Sequence, residues 1–274
     1  MTATTVFPTA STDKTAAVQA RQPARAIPTT RLIKVELRKM FNTRSGFWMM
    51  LSIGVLSVVA TGAVIIFAPD DAVTYENFAS AIGFPMSVIL PMIAILGVTS
   101  EWSQRSGLTT FTLVPSRGRV IGAKAIATFL IGIVSMAVAF AVGALGNLAG
   151  SALAGVDTVW DISLSAAPQI VLGNLVGMAI GFTLGVVLRN SAAAIVGYFV
   201  VSLVLPGILA LLAQAREWFY DLQPWIDWNY TQVNLFEGAT NTGKEWAMLG
   251  STTAIWIVLP LTIGLLFLRR SEVK

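Results

Sequence analysis

The sequence predicts an all-α integral membrane protein with six transmembrane helices. Of its 274 residues, 55% are hydrophobic and only 12% are charged, and the mean hydropathy is +0.74. A soluble domain has roughly a quarter of its residues charged, so this composition could not cover a water-exposed surface. The charged residues are also clustered, and they leave six neutral windows that are each long enough for a helix to cross a bilayer.

The six predicted spans lie within a transmembrane domain of residues 30–270. A closed β-barrel would need strands of about 10 residues that alternate apolar and polar positions, whereas Val88–Val98 is apolar on nearly all sides. Residues 1–29 are rich in Thr, Ala and Pro and are expected to form a disordered cytoplasmic tail, and residues 271–274 a second tail. The spans are expected at about 47–67, 79–98, 125–148, 169–188, 193–213 and 247–268.

The distribution of charge predicts that both termini are cytoplasmic. Six crossings place both termini and the Thr99–Lys124 connection on one side, and that side has 16 of the 18 Lys and Arg residues. Residues Thr30–Phe41 show an amphipathic pattern, with Ile33 and Leu37 on one face and Arg31 and Lys34 on the other. This pattern predicts an N-terminal amphipathic interfacial helix; the alternative is a basic patch that only fixes orientation.

The composition also excludes several kinds of chemistry. The chain has no His and no Cys, which rules out thiol nucleophiles, disulfides, zinc sites built from these residues, and histidine bases. The net charge is +4, but the excess of Lys and Arg lies on one side of a predicted membrane domain and not on a folded soluble face, so we expect no nucleic-acid partner. The predicted spans contain no Asp, Glu, Lys or Arg, which disfavours an ion-coupled transporter. Asn174 is expected to make an interhelical hydrogen bond; the alternative is a position on a substrate path.

The connection between the second and third spans is the most informative segment. Ser100 can cap a short helix with Glu101 in its first turn, and Pro115 ends the helical pattern. This predicts a stiff cytoplasmic helix in which Glu101 pairs with a basic group such as Arg105 or Arg117. The order of residues that characterises the connection is Glu101, Gly107, Leu113, Pro115, Arg117 and Lys124.

This order resembles the membrane subunits of ABC-2 type exporters, particularly actinobacterial ones. The resemblance covers about Thr30–Arg270, because the basic amphipathic start, the six spans and the Gly-rich fourth span that ends in Leu188–Arg189–Asn190 are also similar. That family commonly has Tyr-Arg-His-Gly-Thr after the acidic residue, whereas this chain has Trp102–Leu108 there. The resemblance implies that the segment docks on an ATPase through Glu101, Trp102, Gly107, Phe111, Leu113, Pro115, Arg117 and Lys124.

The resemblance further implies a function and partners. The chain would be the permease subunit of an ATP-driven exporter in a bacterial plasma membrane, in contact with membrane lipid and paired with a second copy of itself or a sister permease. A separate cytoplasmic ABC ATPase would bind and hydrolyse ATP. This chain would then not be an enzyme, and it would bind no cofactor and no metal. The transported substrate could belong to any of four classes: drugs, peptides, lipids or glycans. The alternatives are an ion-coupled secondary transporter and a non-transporting accessory subunit.

Three further patterns each allow a functional and a structural interpretation, and we prefer the structural one. The sequence Gly238–Lys244 has the spacing of a phosphate-binding loop, but Glu245 stands where Ser or Thr should bind magnesium, so we expect no ATP site. The aromatic stretch Arg216–Tyr230 is expected to be an interfacial anchor, with a substrate platform as the alternative. Glycines spaced four apart share a face of the fourth span, which predicts static helix packing, or alternatively a sliding or dimer seam: Gly173, Gly177, Gly181 and Gly185.

Overall fold

A computed structural model of the chain describes residues 27–103 and 117–270. Within these ranges the chain forms helices and no β-strand, and six helices are long and apolar enough to cross a membrane. The all-α class and the six membrane helices predicted from the sequence are therefore confirmed. The six segments are Gly46–Phe67, Tyr75–Ser103, Gly118–Ala154, Ala166–Leu188, Ser191–Ala215 and Gly243–Leu268.

Eleven α-helices make up most of the described chain. The first five are α1 (Thr29–Asn42), α2 (Arg44–Phe67), α3 (Tyr75–Ser103), α4 (Arg117–Ala154) and α5 (Ala166–Leu188). The fifth span consists of α6 (Ser191–Phe199) and α7 (Leu205–Ala215), and two short helices follow it, α8 (Glu217–Ile226) and α9 (Trp228–Phe236). The sixth span consists of α10 (Gly243–Thr253) and α11 (Leu259–Arg270).

Helices α3 and α5 form the centre of the bundle. About half of the most apolar window of each is buried, 50% in α3 and 56% in α5, against 11% in α2 and in the fifth span. The exposed faces of the peripheral spans are apolar and include Val58, Ile66, Leu203 and Leu211. These apolar faces suit lipid, so the bundle has two central, more buried helices, and the peripheral helices each have an exposed apolar side.

Two proline residues accompany widened helical turns. The segments Val200–Val204 and Ala254–Val258 are π-helical, and each ends two residues before a proline, Pro206 or Pro260. Proline has no N–H to donate to the carbonyl four residues earlier, and in both cases that carbonyl belongs to the π-helical segment. The widened turns therefore occur where the regular hydrogen-bond ladder is interrupted.

Inside α3, Pro91 has a different consequence. It leaves the carbonyl of Ser87 without its usual N–H donor, and the hydroxyl of Tyr198 in α6 donates to that carbonyl at 3.2 Å. Tyr198 is buried against the core. A neighbouring helix thus supplies the hydrogen bond that the proline removes, as backbone in a membrane requires.

The glycine face of α5 packs against α3 and α9. A Cβ atom added at Gly181 would lie 2.8 Å from the carbonyl oxygen of Pro91, and one at Gly185 would lie 2.3 Å from a methyl group of Val98. At the other end of this face, a Cβ at Gly173 would lie 2.8 Å from the ring of Phe236 in α9. Gly177 lies between them, next to the side chain of Gln232. All four glycines are buried within the described chain.

The connection between α4 and α5 closes over the start of α3. The carbonyl of Val159 accepts hydrogen bonds from the backbone N–H of Tyr75 at 3.1 Å and from the Asn147 side chain at 2.8 Å. One carboxylate oxygen of Asp161 accepts from the backbone N–H of Glu76 at 2.7 Å. The first N–H groups of α3 lack partners within the helix, so this connection satisfies two of them.

The aromatic stretch between the fifth and sixth spans forms the helices α8 and α9. The ring of Trp218 is 67% exposed, whereas that of Trp228 is 2% exposed and packs against the core. The amide of Gln232 donates to the carbonyl of Gly173 at 2.8 Å and so joins α9 to α5. The expectation of a surface anchor is therefore wrong for Trp228, because α9 packs into the bundle and buries that ring.

We predict that Gly181→Leu lowers the free energy of unfolding by about 1–3 kcal/mol, because the neighbouring backbone of Pro91 cannot move aside as a flexible side chain could. Gly250→Leu is the matched control, since a Cβ there meets no atom within 4 Å. Thermal unfolding of the purified protein in detergent measures both effects. Equal midpoints for the two variants would contradict close packing at Gly181.

Candidate functional site

Four charged side chains meet where α3 ends and α4 begins. This charge cluster consists of Glu36 and Lys39 from α1, Glu101 from α3 and Lys124 from α4. Lys39 lies 2.9 Å from Glu36 and 3.2 Å from Glu101. Lys124 lies 2.6 Å from Glu36 and 3.3 Å from Glu101. The cluster therefore joins α1 to both helices that flank residues 104–116.

Lys124 is buried, and three oxygen atoms lie within 3.3 Å of its ammonium group. Only 1% of its side chain is exposed, and its ammonium group contacts one carboxylate oxygen each of Glu36 and Glu101 and the carbonyl of Gly97 at 3.3 Å. An ammonium group has three donors and no acceptor; Lys124 donates to Glu36 and to the Gly97 carbonyl and forms an ion pair with Glu101. Transfer of a charge out of water costs several kcal/mol, which only such paired geometry can offset.

The cluster contains two positive and two negative groups. Burial alone would lower the pKa of Lys39, but the hydrogen bond and the charge of Glu36, with the charge of Glu101, outweigh it and raise that pKa. Lys39 therefore stays protonated at neutral pH. Glu101 lies in the last turn of α3, where the helix dipole is negative, so the two lysines also offset an unfavourable position. The ion pairs of the cluster therefore hold α1, α3 and α4 together.

The position of Glu101 differs from the one expected from the sequence. Glu101 does not lie in the first turn of a new helix, because α3 continues without a break to Ser103. Ser100 is not an N-cap either, since its hydroxyl donates to the carbonyl of Gly97 at 3.0 Å inside α3. Glu101 is buried and pairs with Lys39 and Lys124, while the expected partners, Arg105 and the Arg117 side chain, lie outside the described residues.

Of the other residues in the predicted coupling segment, the structure describes few. Trp102 is partly buried and packs against the core. Arg117 begins α4, but its side chain lies outside the described residues, as do Gly107, Phe111, Leu113 and Pro115. The structure thus brings together two members of the predicted set, Glu101 and Lys124.

Sequence reasoning missed Glu36 and Lys39 as members of the cluster. A signal for Glu36 was present: it lies three residues from Ile33 and four from Met40, so it shares the apolar side of α1 instead of the basic side. An acidic side chain among apolar neighbours in a helix indicates a buried partner. The sequence did not show which residue that partner is, because Lys124 lies 88 residues further along the chain.

The segment with the spacing of a phosphate-binding loop, Gly238–Lys244, leads into the start of α10. The carboxylate of Glu245 accepts hydrogen bonds from the backbone N–H groups of Asn241 and Thr242, each at 2.7 Å. In return, the Thr242 hydroxyl accepts from the backbone N–H of Glu245, which completes a capping box. Amides that would bind phosphate in such a loop are here bound by the chain's own carboxylate.

Asn174 makes its hydrogen bond inside its own helix. The side-chain amide donates to the carbonyl of Ile170 at 3.1 Å, so the expectation of an interhelical hydrogen bond is wrong. Its side-chain oxygen is buried and has no hydrogen-bond partner among the described residues. Such an oxygen is costly to bury unless something donates to it.

The sequence matches no protein-family model and no curated protein. The class of protein is therefore given by the fold itself, which is a multi-pass helical membrane protein. Its most distinctive described feature near the predicted coupling segment is the charge cluster.

We predict that Lys124→Met lowers the free energy of unfolding by about 3 kcal/mol or more, because it leaves two buried carboxylates with one lysine. The double variant Lys124→Met/Glu101→Gln removes one charge of each sign and should recover much of that loss. Lys34→Met, at an exposed position of α1, is the control and should change stability by less than about 0.5 kcal/mol. Thermal unfolding in detergent compares the three variants. Similar losses for Lys124→Met and Lys34→Met would show that the cluster contributes little.

Proposed function

We propose that this chain is the permease subunit of an ATP-driven ABC-2 type exporter and that it couples to a separate cytoplasmic ATPase. The proposal is supported by the resemblance of the Glu101–Lys124 segment to that family and by the charge cluster at both ends of the same segment. The charge cluster is the main structural observation that supports the proposed coupling to an ATPase. An ATPase outside the membrane can move the spans only through a connection that is mechanically joined to them.

The cluster supplies that mechanical connection. Residues 104–116 leave α3 just after Glu101 and enter α4 shortly before Lys124, and both side chains bind α1 through Glu36 and Lys39. The hydroxyl groups of Thr99 and Ser191 lie 2.7 Å apart and join the end of α3 to the start of α6. A force applied to residues 104–116 would therefore act on α1, α3 and α4 together and reach α6.

The proposed orientation places both termini and the charge cluster on the cytoplasmic side of a bacterial plasma membrane. It is supported by the distribution of Lys and Arg along the chain. In this arrangement α1 lies at the interface, with Arg31, Lys34 and Arg38 exposed towards headgroups and with Glu36 and Met40 packed on the bundle. A second copy or a sister permease would complete the exporter.

An ion-coupled transporter is the second candidate, because Glu36 and Glu101 are buried carboxylates. Carboxylates that carry a driving proton change their protonation during transport. In this structure both carboxylates form ion pairs with lysines, which favours a structural role. The two candidates differ in whether an ATPase accompanies the chain.

We predict that Ser103 and Leu164 lie on opposite sides of the membrane. Both are exposed, Leu164 by 97%, and the chain has no natural Cys, so single Cys substitutions can be labelled selectively. An impermeant maleimide added to intact cells should label Leu164→Cys and should label Ser103→Cys only after permeabilisation. Equal labelling of both sites in intact cells would contradict the proposed orientation.

We predict that the full chain, purified from native membranes in mild detergent, carries a vanadate-sensitive ATPase activity on a second polypeptide. Phe111→Ala/Leu113→Ala should reduce the recovery of that activity at least about fivefold, because these apolar residues belong to the proposed docking segment. A few large side chains usually supply most of the binding free energy of an interface. The matched control is Leu266→Ala/Phe267→Ala, which removes the same two residue types from an exposed face of α11.

Equal recovery of ATPase activity for these two double variants would place docking elsewhere. If no ATPase activity accompanies the wild-type chain, the exporter assignment fails and the ion-coupled candidate is favoured.

A further inference from the structure

A cavity of about 410 Å³ lies at the end of the bundle opposite the charge cluster. Its walls come from the first half of α3, the middle of α4, the first half of α5 and the end of α9. The connection between α4 and α5, which closes over the start of α3, contributes Asp161 to Ser163. A cavity of this size holds a small organic molecule.

The rim of the cavity is acidic. Its lining includes the carboxylates of Glu76, Asp161 and Glu237, all three of which are exposed, and no Lys or Arg among the described residues. One oxygen of Asp161 is used to cap α3. Within the described part of the chain, neither Glu76 nor Glu237 forms an ion pair. Like charges around one opening attract a cation and repel an anion.

The deeper wall contains a buried acceptor without a donor. The side chain of Asn174 lines the cavity and is only 2% exposed, and its amide nitrogen already donates to Ile170. Its oxygen has no hydrogen-bond partner among the described residues. A bound molecule with an N–H or O–H group at its deeper end would satisfy this oxygen, and it would remove the cost of leaving an acceptor unpaired.

The remaining lining is mostly apolar. Met136 and Phe140 of α4, Ile170 of α5 and Phe236 of α9 are among the residues that line the cavity. Aromatic rings also attract cations that lie over their faces. The lining therefore fits a molecule with a cationic end, an apolar body and a hydrogen-bond donor.

We propose that this cavity binds an amphipathic organic amine, with its ammonium group between Glu76 and Glu237 and a donor group at Asn174. Tryptamine has this chemistry, because it combines an ammonium group, an aromatic body and an indole N–H on the ring that bears the ammonium chain. The site does not depend on the proposed exporter function, since binding requires neither an ATPase nor transport. The same ammonium chemistry occurs in a free amine and in the headgroup of phosphatidylethanolamine.

The test is equilibrium binding of tritiated tryptamine to the purified full chain in phosphatidylcholine nanodiscs, read by scintillation proximity. Saturable binding is expected. Glu76→Gln/Glu237→Gln should raise the Kd about fivefold, because each exposed charge pair contributes modestly. Asp157→Asn/Asp221→Asn is the matched control: it removes the same charge from two exposed residues that do not line the cavity, and the Kd should stay unchanged.

Two ligand analogues separate the two recognition elements. Tryptophol replaces the ammonium group by a neutral hydroxyl and should compete at least about fivefold more weakly than tryptamine. In 1-methyltryptamine the indole N–H is absent, so it should also bind more weakly to the wild-type chain. Asn174→Leu should abolish the difference between tryptamine and 1-methyltryptamine, since the acceptor is then gone. If Asn174→Leu fails to fold, the exposed carboxylate variants still decide the proposal.

The proposal is overturned if tryptamine shows no saturable binding, if tryptophol competes equally well, or if the control double variant weakens binding as much as Glu76→Gln/Glu237→Gln. A further arm adds phosphatidylethanolamine to the nanodiscs. If this lipid competes with tryptamine, the natural ligand of the site is a lipid headgroup amine. If the Kd of tryptamine is unchanged, the natural ligand is a free amine.

Discussion

Helix α5 approaches α3 so closely that one added carbon at Gly181 would collide with the backbone of Pro91. Helices in lipid gain little hydrophobic free energy from association, so dispersion contacts at short range must hold them together. Glycines spaced four apart allow this along the length of α5, from Phe236 of α9 at Gly173 to Val98 of α3 at Gly185. The peripheral spans can then stay largely exposed to lipid, because the central pair is already packed.

Polar interactions take over where this close packing ends. Beyond Val98, Thr99 contacts Ser191, and Glu101 joins the charge cluster two residues later. Lys124 contacts the carbonyl of Gly97 as well as the two carboxylates, so backbone and side chains of α3 share one cation. Breaking such a buried pair is costly, which makes α1, α3 and α4 behave as one unit at this end. A structural unit of this kind transmits displacement instead of absorbing it.

The sequence was sufficient for the features that depend on composition along one segment. Neutral windows predicted the six membrane helices, because a span needs about 20 apolar residues regardless of its neighbours. It was insufficient where two distant segments meet. Glu36 and Lys124 pair across 88 residues, and local rules placed Glu101 in a helix start because Ser100 resembles a cap. Asn174 bonds within its own helix, and Trp228 is buried because α9 packs on α5; hydropathy alone shows neither.

Helix α3 connects the two ends of the molecule. Its first half lines the cavity through Glu76 and its last turn holds Glu101, with Pro91 between them. At Pro91 the lost backbone bond is replaced by a donor from α6, while Gly181 of α5 lies against the same residue. A bend of α3 at this point must therefore either break the Tyr198 hydrogen bond or open the glycine contact. Because both oppose bending, a movement at one end of α3 is carried to the other end chiefly as a rigid displacement of the helix.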